Sequence, residues 1–282
     1  MRTLVFQLRI IFERLRKNFY KANQIVLFIL LIGLFFLPLK ADKGSEEKEK
    51  EKKYHSSTSL SLVLTRGNNK DFSFSFDTDQ NLQLGKNKLN LKGSIIYSNS
   101  NSQKKSEIYY SHLKYDRKIN SRAYLLGLVR AERNKLAGYN FRFAFSAGAG
   151  YTWLQQKKIE VYSEGALGWS IENSSEKIIL EVDGDMDSIT VRTFSSSFLS
   201  SIVSSKLVYN FSSVAQFVHQ ETLFLNMEDL KDYRLNSYSS ISASISRNFA
   251  LRTSIQIIYE HKPVLGHKNT DLFLLSSIVI KI

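Results

Sequence analysis

The chain has 282 residues, a formal net charge of +13 and no cysteine. The missing Cys excludes a disulfide scaffold and a thiolate metal site. Residues 1–41 hold seven Lys or Arg and one Glu, so +7 remains for the rest; it is scattered over many turns instead of forming one stripe, which argues against a nucleic-acid partner.

Residues 2–21 are basic and irregular, and Ile25–Leu37 is an apolar run of 13. Pro38 and Leu39-Lys40-Ala41 follow. A basic region, a short apolar core and a small residue before a polar stretch predict a cleaved signal peptide over residues 1–41. The alternative is an uncleaved anchor, although a spanning helix wants about 20 apolar residues. The basic region is long for a signal, which fits a true start downstream of Met1. Next, Asp42–Lys53 is nearly all Lys and Glu. With no apolar face it buries nothing. Residues 42–56 are therefore expected to be a charged periplasmic tether.

From Ser57 onward the pattern has period two. Leu60, Leu62 and Leu64 share one parity; so do Phe72, Phe74 and Phe76, and then Leu89, Leu91, Ile95 and Tyr97. Such alternation puts one set of side chains on each face of a sheet. The chain has only 2 Pro, with 14 Tyr and 19 Phe, a composition that permits long unbroken strands. About twelve strands are predicted, near 57–66, 71–83, 88–98, 105–116, 122–132, 139–154, 158–172, 188–203, 206–221, 232–246, 250–261 and 270–282. Many exceed the nine to eleven residues that cross a bilayer at a tilt.

Alternate connections are short: Gly85–Asn87, Arg117–Ser121, Gln155–Lys157, Ser204-Ser205 and Arg247–Phe249. Those between are mostly longer: Asn99–Lys104, Arg133–Gly138, Asn173–Asp187, Thr222–Lys231 and His261–Asn269, with Asn68–Lys70 a short exception. This asymmetry is that of an up-and-down outer-membrane barrel with its short turns in the periplasm. The predicted fold is thus an all-β, antiparallel, up-and-down transmembrane barrel over residues 57–282, in the cell outer membrane. An unpaired backbone N–H is costly in hydrocarbon, so the first strand must pair with the last. The outer belt is expected to be apolar. Tyr97, Tyr115, Tyr124, Tyr151, Trp153, Tyr162, Trp169, Tyr209 and Tyr259 are candidates for interfacial girdles. By parity Lys92, Arg142 and Lys281 point inward.

Several short segments resemble a known family. They are Gly67-Asn68, Lys114-Tyr115-Asp116, Gly148-Ala149-Gly150-Tyr151, Asp232–Ser237, Tyr259–Pro263 and Lys268–Asp271. In order and spacing the chain is similar to the salt-induced outer membrane proteins, a family of unknown function, over roughly residues 57–282. The resemblance implies an outer-membrane barrel, served by outer-membrane lipid and the barrel-assembly machinery as partners. It brings no catalytic residues. Ile282 stands where the family's usual terminal Phe assists assembly.

No G-x-S-x-G elbow, P-loop or H-E-x-x-H helix occurs. His261 and His267 fall in one predicted loop and are expected to be solvated. Asp183-Gly184-Asp185-Met186-Asp187 reads as an acidic turn, since it lacks the spacing of a calcium loop. For a lipid hydrolase on the barrel wall, the nearest candidates are His112 beside Ser111, and His219 beside Gln220 and Glu221. Ser111 and His112 face opposite sides of a strand and cannot pair. No catalytic, cofactor or metal site is assigned, and no enzyme is expected. The function expected is a structural barrel or a narrow channel for small solutes. The alternatives are a membrane-embedded lipid hydrolase and a secreted soluble barrel that binds a ligand.

Overall fold

A computed structural model describes residues 52–65, 71–100, 103–182 and 185–281, with side-chain surroundings defined over most of these. The expected signal peptide and all but the last residues of the expected tether lie outside them, as does Ile282. Twelve antiparallel strands follow in order: β1 (Lys52–Thr65), β2 (Asp71–Leu84), β3 (Asn87–Ser100), β4 (Gln103–Lys118), β5 (Ala123–Asn134) and β6 (Tyr139–Gln155). Then come β7 (Ile159–Val182), β8 (Asp185–Asn210), β9 (Ala215–Asn226), β10 (Tyr233–Ser244), β11 (Phe249–Glu260) and β12 (Thr270–Lys281). Each pairs with its neighbours in sequence, and β1 pairs with β12, so the sheet is a closed barrel. The closing ladder is short: Ser57–Leu60 lie opposite Ile278–Lys281.

The strand count agrees with the periodicity, but three predicted boundaries do not. β1 starts at Lys52, so the end of the expected tether is already strand. The predicted loop Asn173–Asp187 is largely ladder, because β7 and β8 stay paired from Ile159↔Tyr209 up to Val182↔Asp185. The predicted turn at Ser204-Ser205 lies inside β8, where these serines pair with Glu164 and Ser163 on one side and with Thr222 and Glu221 on the other. The chain turns instead at residues 211–214.

That turn shows what closes the short-turn end. Ser212 Oγ accepts from the N–H groups of Val214 and Ala215 at 3.2 and 3.1 Å. Asn120 Oδ1 accepts from Arg122 and Ala123 at 2.8 and 2.7 Å, and Ser246 Oγ accepts from Asn248 and Phe249 at 3.4 and 3.2 Å. A short polar side chain thus satisfies the backbone donors that the ladder leaves over. The β2–β3 turn relies instead on Gly85, at φ +58°.

Inside and outside are inverted relative to a water-soluble core. Among the described residues, sixteen buried side chains are polar or charged and eleven are hydrophobic. Large apolar groups face outward: Leu274 is 68% exposed, Leu272 64%, Leu62 66% and Leu167 57%. Outward Gly127 has open space around it, and the surrounding Leu113, Val129 and Phe145 frame an apolar hollow of about 370 Å³. Of the predicted girdle, Tyr115, Tyr151, Trp153 and Tyr209 are exposed near the short-turn end, with Tyr151 and Trp153 in edge contact at 4.8 Å. Tyr124 and Tyr162 do not join the girdle. They point inward, where Tyr124 Oη donates to Glu164 and the Lys206 ammonium sits 5.9 Å from the Tyr162 ring.

Candidate functional site

Inward parity places side chains from strands far apart in sequence on one small lumen. Near the long-loop end, Arg142 of β6 reaches across to Glu260 of β11. Its Nη1 and Nη2 donate to the two carboxylate oxygens at 3.0 and 3.2 Å. The same guanidinium lies 3.4 Å from Glu172 and 3.7 Å from Glu132. Arg234 of β10 donates to Glu172, and Arg130 of β5 lies 4.0 Å from Glu132. Three guanidinium groups thus meet three carboxylates. The geometry suits Arg, whose planar fork matches a carboxylate bidentately. Burial of this set is tolerable because each charge has opposite partners.

The layer spans the barrel. β6 and β11 are five strands apart around the ring, so the Arg142–Glu260 pair is nearly a diameter. Arg130 also stacks over Phe224 of β9 at 4.0 Å. The space left among Arg130, Glu132, Arg142 and Glu172 is about 30 Å³, room for about one water molecule.

A second polar layer lies toward the short turns. Lys114 of β4 pairs with Glu164 of β7, three strands away, and lies 3.4 Å from Asp116. Lys92 lies 3.5 Å from Asp79, whose carboxylate also accepts from Asn90 Nδ2 at 2.6 Å. His112 bridges Asn90 and Tyr110, at 2.8 and 2.7 Å. Lys92, Arg142 and Lys281 all face inward as their parity predicts, Lys281 donating to Ser244 at 3.2 Å. His112 is tied into the lumen by Asn90 and Tyr110, on the face opposite Ser111 as parity predicts.

The long-loop mouth is covered from one side. The β11–β12 loop crosses to the β5–β6 turn, where Val264 packs with Ala137 and Tyr139 in a small buried cluster. His267 Nδ1 donates to the Leu136 carbonyl at 2.7 Å. Gly138 sits at φ +84°, and a Cβ there would come within 2.8 Å of Val264 and 2.9 Å of His267. The sequence placed His267 in a solvated loop. It is instead half-buried against this turn, while His261 is exposed and stacked on Tyr233 at 4.7 Å. The acidic turn at residues 183–187 lies outside the described side chains. No cluster of three or more metal-ligating side chains occurs among the described residues.

The outward wall is interrupted on β9 and β10. His219 and Glu221 share the outward parity of Phe217 and Leu223, and the ladder sets them beside Ser239 and Ser237. His219 Nδ1 lies 2.8 Å from Ser239 Oγ, and His219 Nε2 lies 3.1 Å from Glu221 Oε1. Ser237 Oγ donates to the same carboxylate oxygen at 2.5 Å. The sequence named His219 beside Gln220 and Glu221 as a candidate for a hydrolase on the barrel wall, with no serine assigned to it. It missed Ser239 because the link is made across a hairpin, and only the register supplies it.

No curated protein matches the chain. Among solved structures it is similar to the NanC porin, at 10% identity and a TM-score of 0.44, over 80% of this chain and 97% of that one. An outer membrane channel from Pseudomonas putida F1 is similar at 9% identity and a TM-score of 0.45, over 85% of this chain and all of that one. The translocator domain of the autotransporter NalP from Neisseria meningitidis follows at 9% and 0.42, over 80% and 86%. The barrel assignment rests on the closed ladder itself. A family model described as "Protein of unknown function, DUF481" matches residues 58–282, and the chain therefore belongs to that family.

Proposed function

We propose that this is an outer-membrane barrel whose polar lumen forms a narrow conduit for small solutes, held shut by the Arg142 layer. The inverted distribution of side chains carries this reading. In water, an apolar exterior of this extent is an aggregation liability; in hydrocarbon it is the preferred surface. An ion-lined interior is of no use to a barrel that only needs to pack, since hydrophobic filling is often as stable or more so. On this reading both chain ends lie in the periplasm, with the charged tether. The long loops face outward, and lipid and the barrel-assembly machinery are the partners. The salt-induced outer membrane proteins, which the sequence resembles, are the relatives this function would place it among.

The test is conductance in a planar bilayer. Wild-type protein is expected to pass little current, because the Arg142–Glu260 pair bridges the lumen. Arg142→Ala with Glu260→Gln should give discrete steps while the unboiled protein still migrates as a closed barrel. Silence in both proteins would leave a purely structural barrel.

A further inference from the structure

We propose that Ser239, His219 and Glu221 form a serine–histidine–carboxylate relay on the outer wall, acting on the ester bonds of membrane glycerolipids. The inference rests on the membrane-spanning reading, since it needs this wall to face lipid.

The three roles follow from geometry. A carboxylate only accepts hydrogen bonds, so Glu221, 3.1 Å from Nε2, fixes the imidazole proton on that nitrogen. Nδ1 is then left with a lone pair, and Ser239 Oγ lies 2.8 Å from it. This is the hydrogen-bond reach expected of a nucleophile and its base. Ser237 also donates to that carboxylate oxygen, at 2.5 Å, and so helps to hold it. The base is therefore oriented by a third group that is itself held in place, the arrangement by which such relays are recognised on unrelated folds.

Location adds a second, independent argument. Ionisable groups facing hydrocarbon are costly and, when present, mark function. Here the pair sits on a wall otherwise built from groups such as Leu235, Ile241, Ile255 and Leu274, all well exposed. A purely structural Ser or Ala at 219 and 221 would avoid the cost. His219 lies four residues above the foot of β9. With a strand rise near 3.4 Å and a tilt near 40°, that is roughly 10 Å above the short-turn rim, in the half of a roughly 25 Å apolar belt nearer the periplasm. Glycerol esters of the periplasmic leaflet reach that zone from their headgroup side.

The chemistry balances with water as the only co-reactant. Ser239 Oγ bonds to the ester carbonyl carbon while its proton passes to His219 Nδ1. The tetrahedral adduct collapses, the bond between acyl carbon and glycerol oxygen breaks, and the imidazolium returns the proton to the leaving alcohol. Water, deprotonated by His219, then attacks the acyl-serine, releasing the fatty acid and restoring the Ser239 hydroxyl. Glu221 remains a carboxylate throughout and stabilises the imidazolium. Ser239 lies between two ladders, with β9 and β11, so its surroundings lack a backbone oxyanion hole. Turnover should accordingly be slow, since one such donor contributes about 10²–10³ in rate.

Slow turnover makes covalent capture the appropriate assay. Folded full-length protein in dioleoylphosphatidylethanolamine vesicles is treated with dodecyl fluorophosphonate, which marks only activated serines. The expected result is one adduct, on the peptide carrying Ser239, that is absent in Ser239→Ala and formed at least about 10²-fold more slowly in His219→Gln. Thr253→Ala, on the same wall, should label like the wild type. Oleate release should follow the same order. The unboiled gel shift of each variant confirms its barrel. A wild-type barrel that takes no adduct, or one that labels equally well without the imidazole, overturns the relay. In particular, an unlabelled wild type whose Ser239→Trp variant passes from dimer to monomer would assign this patch to a subunit contact. A wild type with no heat-dependent shift fails the barrel reading itself, a separate result.

Discussion

At Gly150 the space where a side chain would begin is already taken: a Cβ there would lie 2.2 Å from the Tyr124 ring. The ring lies over this glycine so that its hydroxyl can donate to Glu164 at 2.6 Å, in the polar layer nearer the short turns. Gly150→Ala should therefore displace Tyr124 and release one of the donors to Glu164. Overpacking of this kind costs typically 1–3 kcal/mol, and the urea midpoint of the detergent-solubilised barrel is expected to fall accordingly. Arg142 is the more severe site. Removing it leaves Glu260 buried without its bidentate partner and Glu172 with Arg234 alone, a loss of about 3–5 kcal/mol measurable in the same titration. Outside the wall the charges are weaker but easier to read. Lys262 donates to Asp229 between two neighbouring long loops, and this bond holds the Asp229 carboxyl below the ordinary carboxylate range. A lowered folded value means that the contact is fully present above the ordinary pKa near 3.9 and is lost as pH falls through the lowered value. An NMR titration of the Asp229 carboxyl should show this, and Lys262→Ala should move the midpoint back toward the ordinary value.

Among the elements, legibility in the sequence depended on whether one residue type carried one meaning. β2 to β6 and β10 to β12 were readable within a few residues, since Phe, Leu and Ile alternate there with Ser, Asn and Lys. β8 was not. Ser204-Ser205 has the composition of a turn, yet both serines are ladder residues, and the real turn eight residues later is capped by Ser212. Serine serves equally well as an inward strand residue and as a turn cap, so only the partner strand decides. The lumen was half legible. Parity gave the direction of Arg142, but its partner Glu260 is 118 residues away and needs the closed ring to be known first. The outward His219–Glu221 pair contradicts the expectation of an uninterrupted apolar belt. Its contact with Ser239 needs the register: the expected loop at Thr222–Lys231 would set 219 opposite 234, whereas the chain turns at residues 227–232 and sets 219 opposite 239. The long loops were expected to be exposed, and His267 shows why this failed: a loop long enough to cross the mouth can bury its own side chains against the far rim.

For the molecule as a whole, closure is uneven. β12 holds β11 through eleven registered pairs, from Phe249↔Ile280 to Tyr259↔Thr270, but meets β1 through four. The seam is therefore the least cooperative part of the wall, and amides there should open at lower free energy than the rest. Hydrogen exchange in detergent micelles should be fastest, among strand amides of the barrel wall, at the seam-facing positions of 61–65 and 270–277. Uniform protection around the ring would show that the seam is as firmly held as the other ladders. Nearly opposite this seam the wall is tallest. β7 pairs with β6 only up to Ser174 and β8 meets β9 only from Ser200, yet the two strands continue together to Val182 and Asp185. Past the rim they form a ribbon two strands wide, with no further strand registered on either flank among the described residues, like a mast stepped on one side of a hull. Such flanks can accept a visiting strand from another molecule. A protease added from outside should find this mast before anything else, and the severed halves should still travel together on an unheated gel.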